Sequence, residues 1–174
     1  MIARVTLRSE RPKDGCLVDA LVAAAFGPGR YAKAAERLRE GNGPLLELSP
    51  IAWAESEAVG CVRLWPILIG QTPGLLLGPI AVADAWRKRA VGTDLVEWAC
   101  EAARKAGHGV VLLVGDESYF GRFGFIAAPA RRVVMPGPVD RRRVLARFLN
   151  ETSSAVLEGA VSSRRIRTRS PSDG

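Results

Sequence analysis

The sequence has little of several residue types on which catalytic centres often depend. It contains one histidine and three cysteines in 174 residues, and aromatic residues make up only 6%. Cys16, Cys61 and Cys100 lack the paired spacing of a zinc site or a disulfide framework, so we expect three small buried residues, no metal site and a reducing compartment. His108 lies between two glycines, and we expect it in an exposed turn.

The sequence also lacks an uninterrupted apolar run of the roughly 20 residues that a membrane-spanning helix needs. Its most apolar stretch, residues 65–82, is interrupted by glycine and proline. The first 15 residues have no apolar run typical of a signal peptide. We therefore expect a cytoplasmic protein that does not span a membrane.

The overall composition is that of an ordinary globular domain, with 48% apolar and 25% charged residues. We expect one domain over residues 1–161 and a disordered basic tail over residues 162–174, because the tail has low hydrophobicity and no periodicity. The net charge of +7 is partly due to this tail, which has four arginines and one aspartate. The domain itself is only mildly basic. This charge suits an anionic ligand and is weaker evidence for binding of nucleic acid.

Apolar periodicity predicts alternating strands and helices. We expect strands over residues 2–7, 45–55, 58–69, 74–82, 110–114 and 131–135, and helices between residues 14 and 26, over 31–39, 91–106 and 139–149, and, in a short broken form, over 116–125. The apolar segment 155–161 cannot be typed. The predicted buried stripe of the third helix consists of Val91, Leu95, Trp98, Ala99, Ala102 and Ala106.

The connections between these elements predict a mixed sheet. The strands over 45–55, 58–69 and 74–82 are joined by short turns and suit antiparallel neighbours. The strand over 110–114 follows a crossover helix and suits a parallel neighbour of 74–82. Gly78-Pro79 is unfavourable inside a strand, so we expect a β-bulge there, and bulges often lie beside functional sites.

The turn between the strand over 74–82 and the third helix predicts an anion site. Arg87, Lys88 and Arg89 directly precede Ala90-Val91-Gly92 at the start of the helix. The first N–H groups of a helix lack partners and the helix dipole is positive there, so such a turn favours a phosphate.

Two motifs in this order resemble the GNAT superfamily of acyl-CoA-dependent N-acetyltransferases. The first is Arg87-x-x-Ala90-x-Gly92 after a strand with a bulge, and the second is Phe120-x-x-x-Gly124-Phe125 after a buried strand. The phrases LGPIAV and GDESYFGRFGF resemble in particular a bacterial subgroup of predicted small acetyltransferases. The resemblance covers residues 1–135 in order of elements, and it implies a mixed α/β fold with a mostly antiparallel sheet, a splayed parallel strand pair and flanking helices.

The resemblance implies that acetyl-CoA binds with its pyrophosphate on the turn over residues 87–93 and its pantetheine arm between the splayed strands. The backbone N–H groups of Ile80 and Val82 would hold the pantetheine amides or the thioester oxygen. The residues it assigns to coenzyme A are Ile80, Ala81, Val82, Arg87, Lys88, Arg89, Ala90, Val91, Gly92, Thr93 and Phe120.

The sequence departs from the family pattern at two positions. Ala90 stands where glycine is usual, and since alanine adopts ordinary helical angles we expect somewhat weaker phosphate binding. Phe120 stands where the family has a tyrosine that protonates the departing thiolate. Tyr119, or Ser118 acting through a water, is the candidate for the missing acid. The alternative interpretation, to which we give equal weight, is that Tyr119 is an ordinary half-buried aromatic residue.

These features predict transfer of a short acyl group from coenzyme A to a primary amine, by direct attack on the thioester. The acceptor, either a small molecule or an amino-terminal or lysine amine, is left open, as is a homodimer. Glu47 and Glu55 are weak candidates for the base, and Trp53 and Trp65 line an acceptor pocket or pack in the core. The alternative functions are an acyl-CoA sensor without transferase activity and, through the arginines of 141–143 and 164–169, a nucleic-acid or acidic-partner binder.

Overall fold

The computed structural model describes residues 4–26, 34–151 and 156–165. The described helices are α1 (Gly15–Phe26), α2 (Ala34–Arg37), α3 (Val91–Lys105) and α4 (Glu117–Phe120), and the strands are β1 (Val5–Ser9), β2 (Pro50–Ala54), β3 (Glu57–Ile69), β4 (Thr72–Val82), β5 (Val110–Val114), β6 (Arg132–Val134), β7 (Val144–Phe148) and β8 (Glu158–Ser163). None of the helices within these ranges is long and apolar enough to cross a membrane.

One sheet organises the chain, with the strand order β1-β2-β3-β4-β5-β7. Neighbours along this path are antiparallel except β4 and β5, which are parallel. β8 pairs with the far end of β3 in the antiparallel sense and with β6 in parallel. The predicted fold class, a mostly antiparallel sheet with a parallel β4-β5 pair and flanking helices, is confirmed.

Helices cover both faces of the sheet. α3 packs on one face, where Leu95 and Ala99 join a buried cluster with Leu64 of β3. α1 packs on the opposite face, where Val18 joins a second cluster with Ile51. The C-terminal end of α1 and the N-terminal end of α3 lie at the same end of the central strands. Both therefore line a cavity described below.

The buried stripe of α3 is rotated from its predicted position. Val91, Leu95 and Ala99 are buried as predicted, but the remaining contacts are made by Val96, Cys100 and Ala103. Of the other predicted members, Trp98 and Ala102 are half-buried and Ala106 is exposed. The helix has small or apolar residues on both sides of its central line, so its sequence alone did not determine which side faces the sheet.

The segment 45–55 is a strand only from Pro50. Residues Leu46–Leu48 form a 3₁₀ turn, because the hydroxyl of Ser49 donates to the Leu45 carbonyl and accepts from the N–H of Leu64. These bonds replace ladder pairing before Pro50. The predicted strand was therefore too long.

The prediction of a helix over 139–149 was wrong. Asp140 caps a 3₁₀ turn over Arg141–Arg143, and the chain then enters β7, which pairs with the whole of β5. Val144, Leu145 and Ala146 are consecutive and all buried, as in a strand covered on both faces. Strand pairing between residues 30 to 38 positions apart overrides the local helical spacing.

The C-terminal boundary also moves. The untyped segment 155–161 leads into β8, and Ser162 and Ser163 still pair with Leu68 and Ile67 of β3. β8 therefore continues two residues past the predicted domain end at residue 161. Most of the predicted tail, residues 166–174, lies outside the described residues, as do residues 31–33 of the second predicted helix.

Candidate active site

The predicted bulge lies in β4. Val62 of β3 pairs with Ile80 and Leu64 pairs with Leu77, so Gly78 and Pro79 together face one residue of β3. Gly78 has a φ of +136°, a conformation that side-chain-bearing residues rarely adopt. The bulge therefore depends on glycine, and it interrupts the pairing of β4 with β3, which resumes at Ile80.

Trp65 fixes the bulge from within the core. Its indole N–H donates to the Gly78 carbonyl over 2.6 Å, and its side chain is buried. Trp53 packs elsewhere, under the guanidinium of Arg8, which lies 4.2 Å from the ring centroid. Neither tryptophan lines either of the two cavities described below, so the core-packing interpretation holds for both.

The strands β4 and β5 separate beside the bulge. They pair only at Leu75 with Val111 and at Leu76 with Leu112. Beyond this point a cavity of about 470 Å³, the splay cavity, lies between them, and its walls include Gly78 and Leu113. The chain thus provides an opening in the sheet without breaking the core on either side.

The backbone of β4 directs donors into this opening. The N–H of Ala83 donates to the Val59 carbonyl of β3 over 2.9 Å. Bonded and non-bonded pairs alternate along an antiparallel ladder, so Ala81 also bonds toward β3, whereas Ile80 and Val82 turn their N–H groups toward β5. Two amides two residues apart therefore face the space between the splayed strands.

A second cavity of about 560 Å³, the phosphate cavity, lies against the turn before α3. α3 has no side-chain cap at its N-terminus, and its first turn is closed by the Asp94 N–H on the Ala90 carbonyl. Gly92 and Thr93 of this turn line the cavity. Uncapped amides at a helix N-terminus and a positive dipole favour an anion here.

Ala90 does not adopt the ordinary helical angles that we expected. Its φ of 59° and ψ of 5° lie in the left-handed region, which explains why glycine suits this position. For a residue with a Cβ this conformation costs about 1–2 kcal/mol. The alanine therefore strains the turn as well as narrowing the space beside it.

We expect Ala90→Gly to stabilise the fold and to improve anion binding. Glycine relieves the backbone strain, but it also gives the unfolded chain more conformational entropy, which opposes folding. The net gain in the free energy of unfolding is up to about 1 kcal/mol, which raises Tm by roughly 2–4 °C for a chain of this size. Glu55→Gly is the matched control, because Glu55 also has a positive φ, 54°, and lies in the hairpin turn between β2 and β3. Melting curves should shift upward for both variants, whereas calorimetry with coenzyme A should show tighter binding for Ala90→Gly alone; equal affinities in all three proteins would refute the role of this turn.

Three cationic side chains line the phosphate cavity. Arg87 and Lys88 come from the turn, as predicted, and Arg122 comes from the segment after α4. The Arg122 guanidinium lies 4.1 Å from the ring centroid of Tyr119 and 5.1 Å from that of Phe123. Arg122 was not predicted from the sequence. It follows Tyr119 by three residues in a short helical segment, and this spacing could have indicated that the two side chains lie together.

Tyr119 and Phe120 line different cavities. Tyr119 lines the phosphate cavity, and its hydroxyl would lie 3.4 Å from a Cβ at Gly92. Phe120 lines the splay cavity, with its ring packed against Gly115. Ser118 is exposed and lines neither. Among the described residues that line the two cavities, Tyr119 is the one tyrosine, and its phenol lies at the phosphate end.

The structure distributes the predicted coenzyme A residues unevenly. Ile80 lines both cavities. Ala81, Arg89 and Val91 line neither: Ala81 and Val91 are buried in the core, and Arg89 stacks on Trp86 at 4.8 Å. The remaining predicted residues on the phosphate cavity are Val82, Arg87, Lys88, Ala90, Gly92 and Thr93.

The predicted base candidates lie away from both cavities. Glu47 and Glu55 are exposed and line neither. His108 is half-buried rather than exposed, and burial together with the charge of Arg164 lowers its pKa. Among the described residues, the ionisable groups on the splay cavity are Arg39, Asp116, Asp140 and Arg143. The sequence had indicated none of them as part of an acyl-transfer site.

Two of the three cysteines, Cys61 and Cys100, are buried in the core. Burial raises the pKa of Cys61 to about 12 and that of Cys100 to about 11, so both thiols are poor nucleophiles. Cys16 is exposed at the start of α1, so its predicted burial was wrong.

Comparison with known proteins shows which proteins this fold resembles. Residues 49–127, which include β2 to β5, α3 and the second motif, match the acetyltransferase (GNAT) domain family. A GNAT family acetyltransferase from Brucella melitensis, solved with acetyl-CoA, is 28% identical and superposes with a TM-score of 0.62 over 82% of this chain and 96% of that one. Over residues 49–127 the chain is therefore similar to the GNAT superfamily of N-acetyltransferases.

Within this superfamily the chain is similar to YhbS of Escherichia coli. It is 29% identical to that uncharacterized N-acetyltransferase over 122 residues, which cover 68% of this chain and 72% of YhbS. The crystal structure of YhbS in complex with CoA superposes with a TM-score of 0.80 at 23% identity, over 94% of this chain and 92% of that one.

Proposed function

We propose that the protein transfers an acetyl or other short acyl group from coenzyme A to a primary amine. The observation that carries this proposal is the adjacency of the two cavities. Both are lined by Phe26 and Ile80, so they adjoin, and together they extend from the uncapped start of α3 to the space between β4 and β5. We call the two together the acyl-CoA groove. One end is cationic and the other is mostly apolar.

The chain's groups fit the two chemically different parts of an acyl-CoA. The amides at the start of α3, together with Arg87, Lys88 and Arg122, offer donors and positive charge to a diphosphate. The N–H groups of Ile80 and Val82 offer ladder bonds to an extended amide chain entering between the strands, much as an added strand would. The structures of YhbS and of the Brucella acetyltransferase, solved with CoA and acetyl-CoA respectively, support this assignment.

At the reacting end, the thioester supplies an activated acyl carbon, and the protein supplies orientation and a hydrogen bond. The Ile80 N–H is directed at the place where the acyl oxygen would lie, and a fixed backbone donor stabilises charge that develops on that oxygen. The acceptor amine attacks from the splay cavity.

Departure of the thiol needs no side-chain acid at this site. A free thiol has a pKa of about 8.5, so a thiolate leaves near neutral pH without obligatory protonation. Because the Tyr119 hydroxyl lies beside Gly92, we assign it to phosphate binding rather than to proton transfer. Phe120 then only shapes the apolar wall.

The amine has to lose a proton before it attacks, since an alkylammonium has a pKa of about 10.4. Asp116 and Asp140 are the carboxylates on the splay cavity, but each accepts a hydrogen bond from an arginine, Arg143 and Arg142 respectively. The bond from Arg142 lowers the pKa of Asp140, which weakens it as a base. We propose that water takes this proton.

Calorimetry with coenzyme A and a thiol-release assay with acetyl-CoA test the proposal together. We expect saturable binding that weakens as salt is raised, because the phosphate end is cationic and open to solvent. We also expect amine-dependent thiol release. Failure to bind at millimolar coenzyme A would overturn the proposal, and binding without turnover of any amine would favour a sensor instead.

A further inference from the structure

Arg39 occupies an unusual place for an arginine. It follows α2 and its side chain is only 14% exposed, where it forms an ion pair with Glu36, Nη1 to Oε2, over 2.9 Å. Its Nη2 would lie 2.9 Å from a Cβ at Gly78. The guanidinium therefore covers the face of the β4 bulge and lines the splay cavity beside it.

We propose that Arg39 binds an anionic group, a carboxylate or a phosphate, on the amine acceptor. This inference rests on the proposed acyl transfer, since it concerns the same cavity and names the acceptor's class. Arginine presents its N–H groups in a planar fork that can bind more than one acceptor oxygen, so the ion pair with Glu36 and an added anion are compatible.

The position of Arg39 limits the distance between the two groups of the acceptor. Ile80, whose N–H we assign to the acyl oxygen, lies two residues beyond Gly78. Because the bulge sets Gly78 and Pro79 against one residue of β3, the advance along the strand is less than the roughly 7 Å of two regular residues. A hydrogen-bonded anion on Arg39 and an amine in contact with the acyl carbon together take up most of that distance. The amine and the anionic group are therefore only a few bonds apart, as in an α- or β-amino acid or a short aminoalkyl phosphate.

The other charges on the splay cavity do not offer an equivalent anion site. Arg143 is 50% exposed and bonded to Asp116, which is 69% exposed. Asp140 is engaged by Arg142, which is 89% exposed. Exposed pairs are weakened by water and salt, whereas a hydrogen bond between charged groups is stronger in the more buried surroundings of Arg39.

Gly78 completes the site. A side chain at this position would meet Nη2 of Arg39, so the glycine that permits the bulge also leaves room for the guanidinium above it. The Trp65 indole N–H holds the same residue through its carbonyl. The bulge thus fixes both the amide that faces the acyl group and the surface on which Arg39 lies.

The test is a thiol-release assay with acetyl-CoA and matched acceptors: each of the 20 amino acids, its carboxamide, and aminoalkyl phosphates of two to four carbons. The proteins are wild type, Arg39→Met and Arg39→Lys. Arg104→Met is the matched control, because Arg104 forms an (i,i+3) ion pair with Glu101 on the exposed face of α3. Calorimetry with coenzyme A and melting curves accompany every variant.

We expect wild type to acylate at least one anionic acceptor with kcat/KM about 10- to 100-fold above that for its uncharged partner. Arg39→Met should lose that preference, mainly through a higher KM for the anionic acceptor, and keep its affinity for coenzyme A. Arg39→Lys should restore part of the preference, and Arg104→Met should behave as wild type. Preference for amino acids over aminoalkyl phosphates, or the reverse, identifies the anion.

Equal rates for anionic and uncharged amines in wild type would overturn the proposal without any variant, as would acylation of uncharged amines alone. An equal loss on both classes in Arg39→Met, with a lowered Tm, would assign Arg39 to holding α2. These results leave acyl transfer intact. Absence of coenzyme A binding would instead contradict the proposed function itself.

Discussion

Phe120→Tyr is expected to raise the kcat of acyl transfer by about 100-fold. The Phe120 ring lines the splay cavity, where the thiol is released, and a phenol there could protonate the leaving thiolate. General acid catalysis contributes roughly 10²–10⁴-fold, and the lower figure applies because a thiolate is already a fair leaving group. The ring packs against Gly115 and stays in place, since a hydroxyl adds little volume.

Tyr119→Phe separates the two neighbouring aromatic residues. Because the Tyr119 hydroxyl lies in the phosphate cavity, its removal should raise KM for acetyl-CoA a few-fold and leave kcat unchanged. Steady-state kinetics with saturating amine measure both variants. A large fall in kcat for Tyr119→Phe, with no gain for Phe120→Tyr, would show that Tyr119 is the acid after all.

The parts of the site that the sequence predicted are those built from consecutive residues. The bulge follows from Gly78-Pro79, and the anion turn follows from Arg87 to Gly92 at the start of an amphipathic helix. Both depend on local backbone preferences, which act wherever the segment lies in the fold. Their order along the chain was enough to indicate the family.

The parts that the sequence did not predict depend on contacts between distant segments. The segment containing β7 has helical spacing, and only pairing with β5 makes it a strand. Arg39 and Gly78 are far apart in sequence, and nothing near either residue indicates that one covers the other. Ala90 was misjudged for a different reason: the turn geometry required by the chain before α3 decides its φ, and the residue's own preference does not.

Gly92→Ala is expected to weaken coenzyme A binding about 10- to 100-fold without weakening the fold. A Cβ at this position would meet the Tyr119 hydroxyl at 3.4 Å and Val82 Cγ2 at 3.8 Å, which are ordinary contact distances. Alanine in a helix is more stable than glycine by up to about 1 kcal/mol, so Tm should stay the same or rise. The added methyl group instead occupies the phosphate cavity, against the first amides of α3.

Gly15→Ala is the control for this substitution. Gly15 also begins a helix, has ordinary helical angles, and has nothing within 4 Å of the position that a Cβ would take. Melting curves should therefore be similar for both variants, while calorimetry should show loss of coenzyme A affinity for Gly92→Ala only. Because one variant gains stability as it loses affinity, unfolding cannot account for the loss. Unchanged affinity in Gly92→Ala would place the phosphates away from the start of α3 and contradict the assignment of this turn.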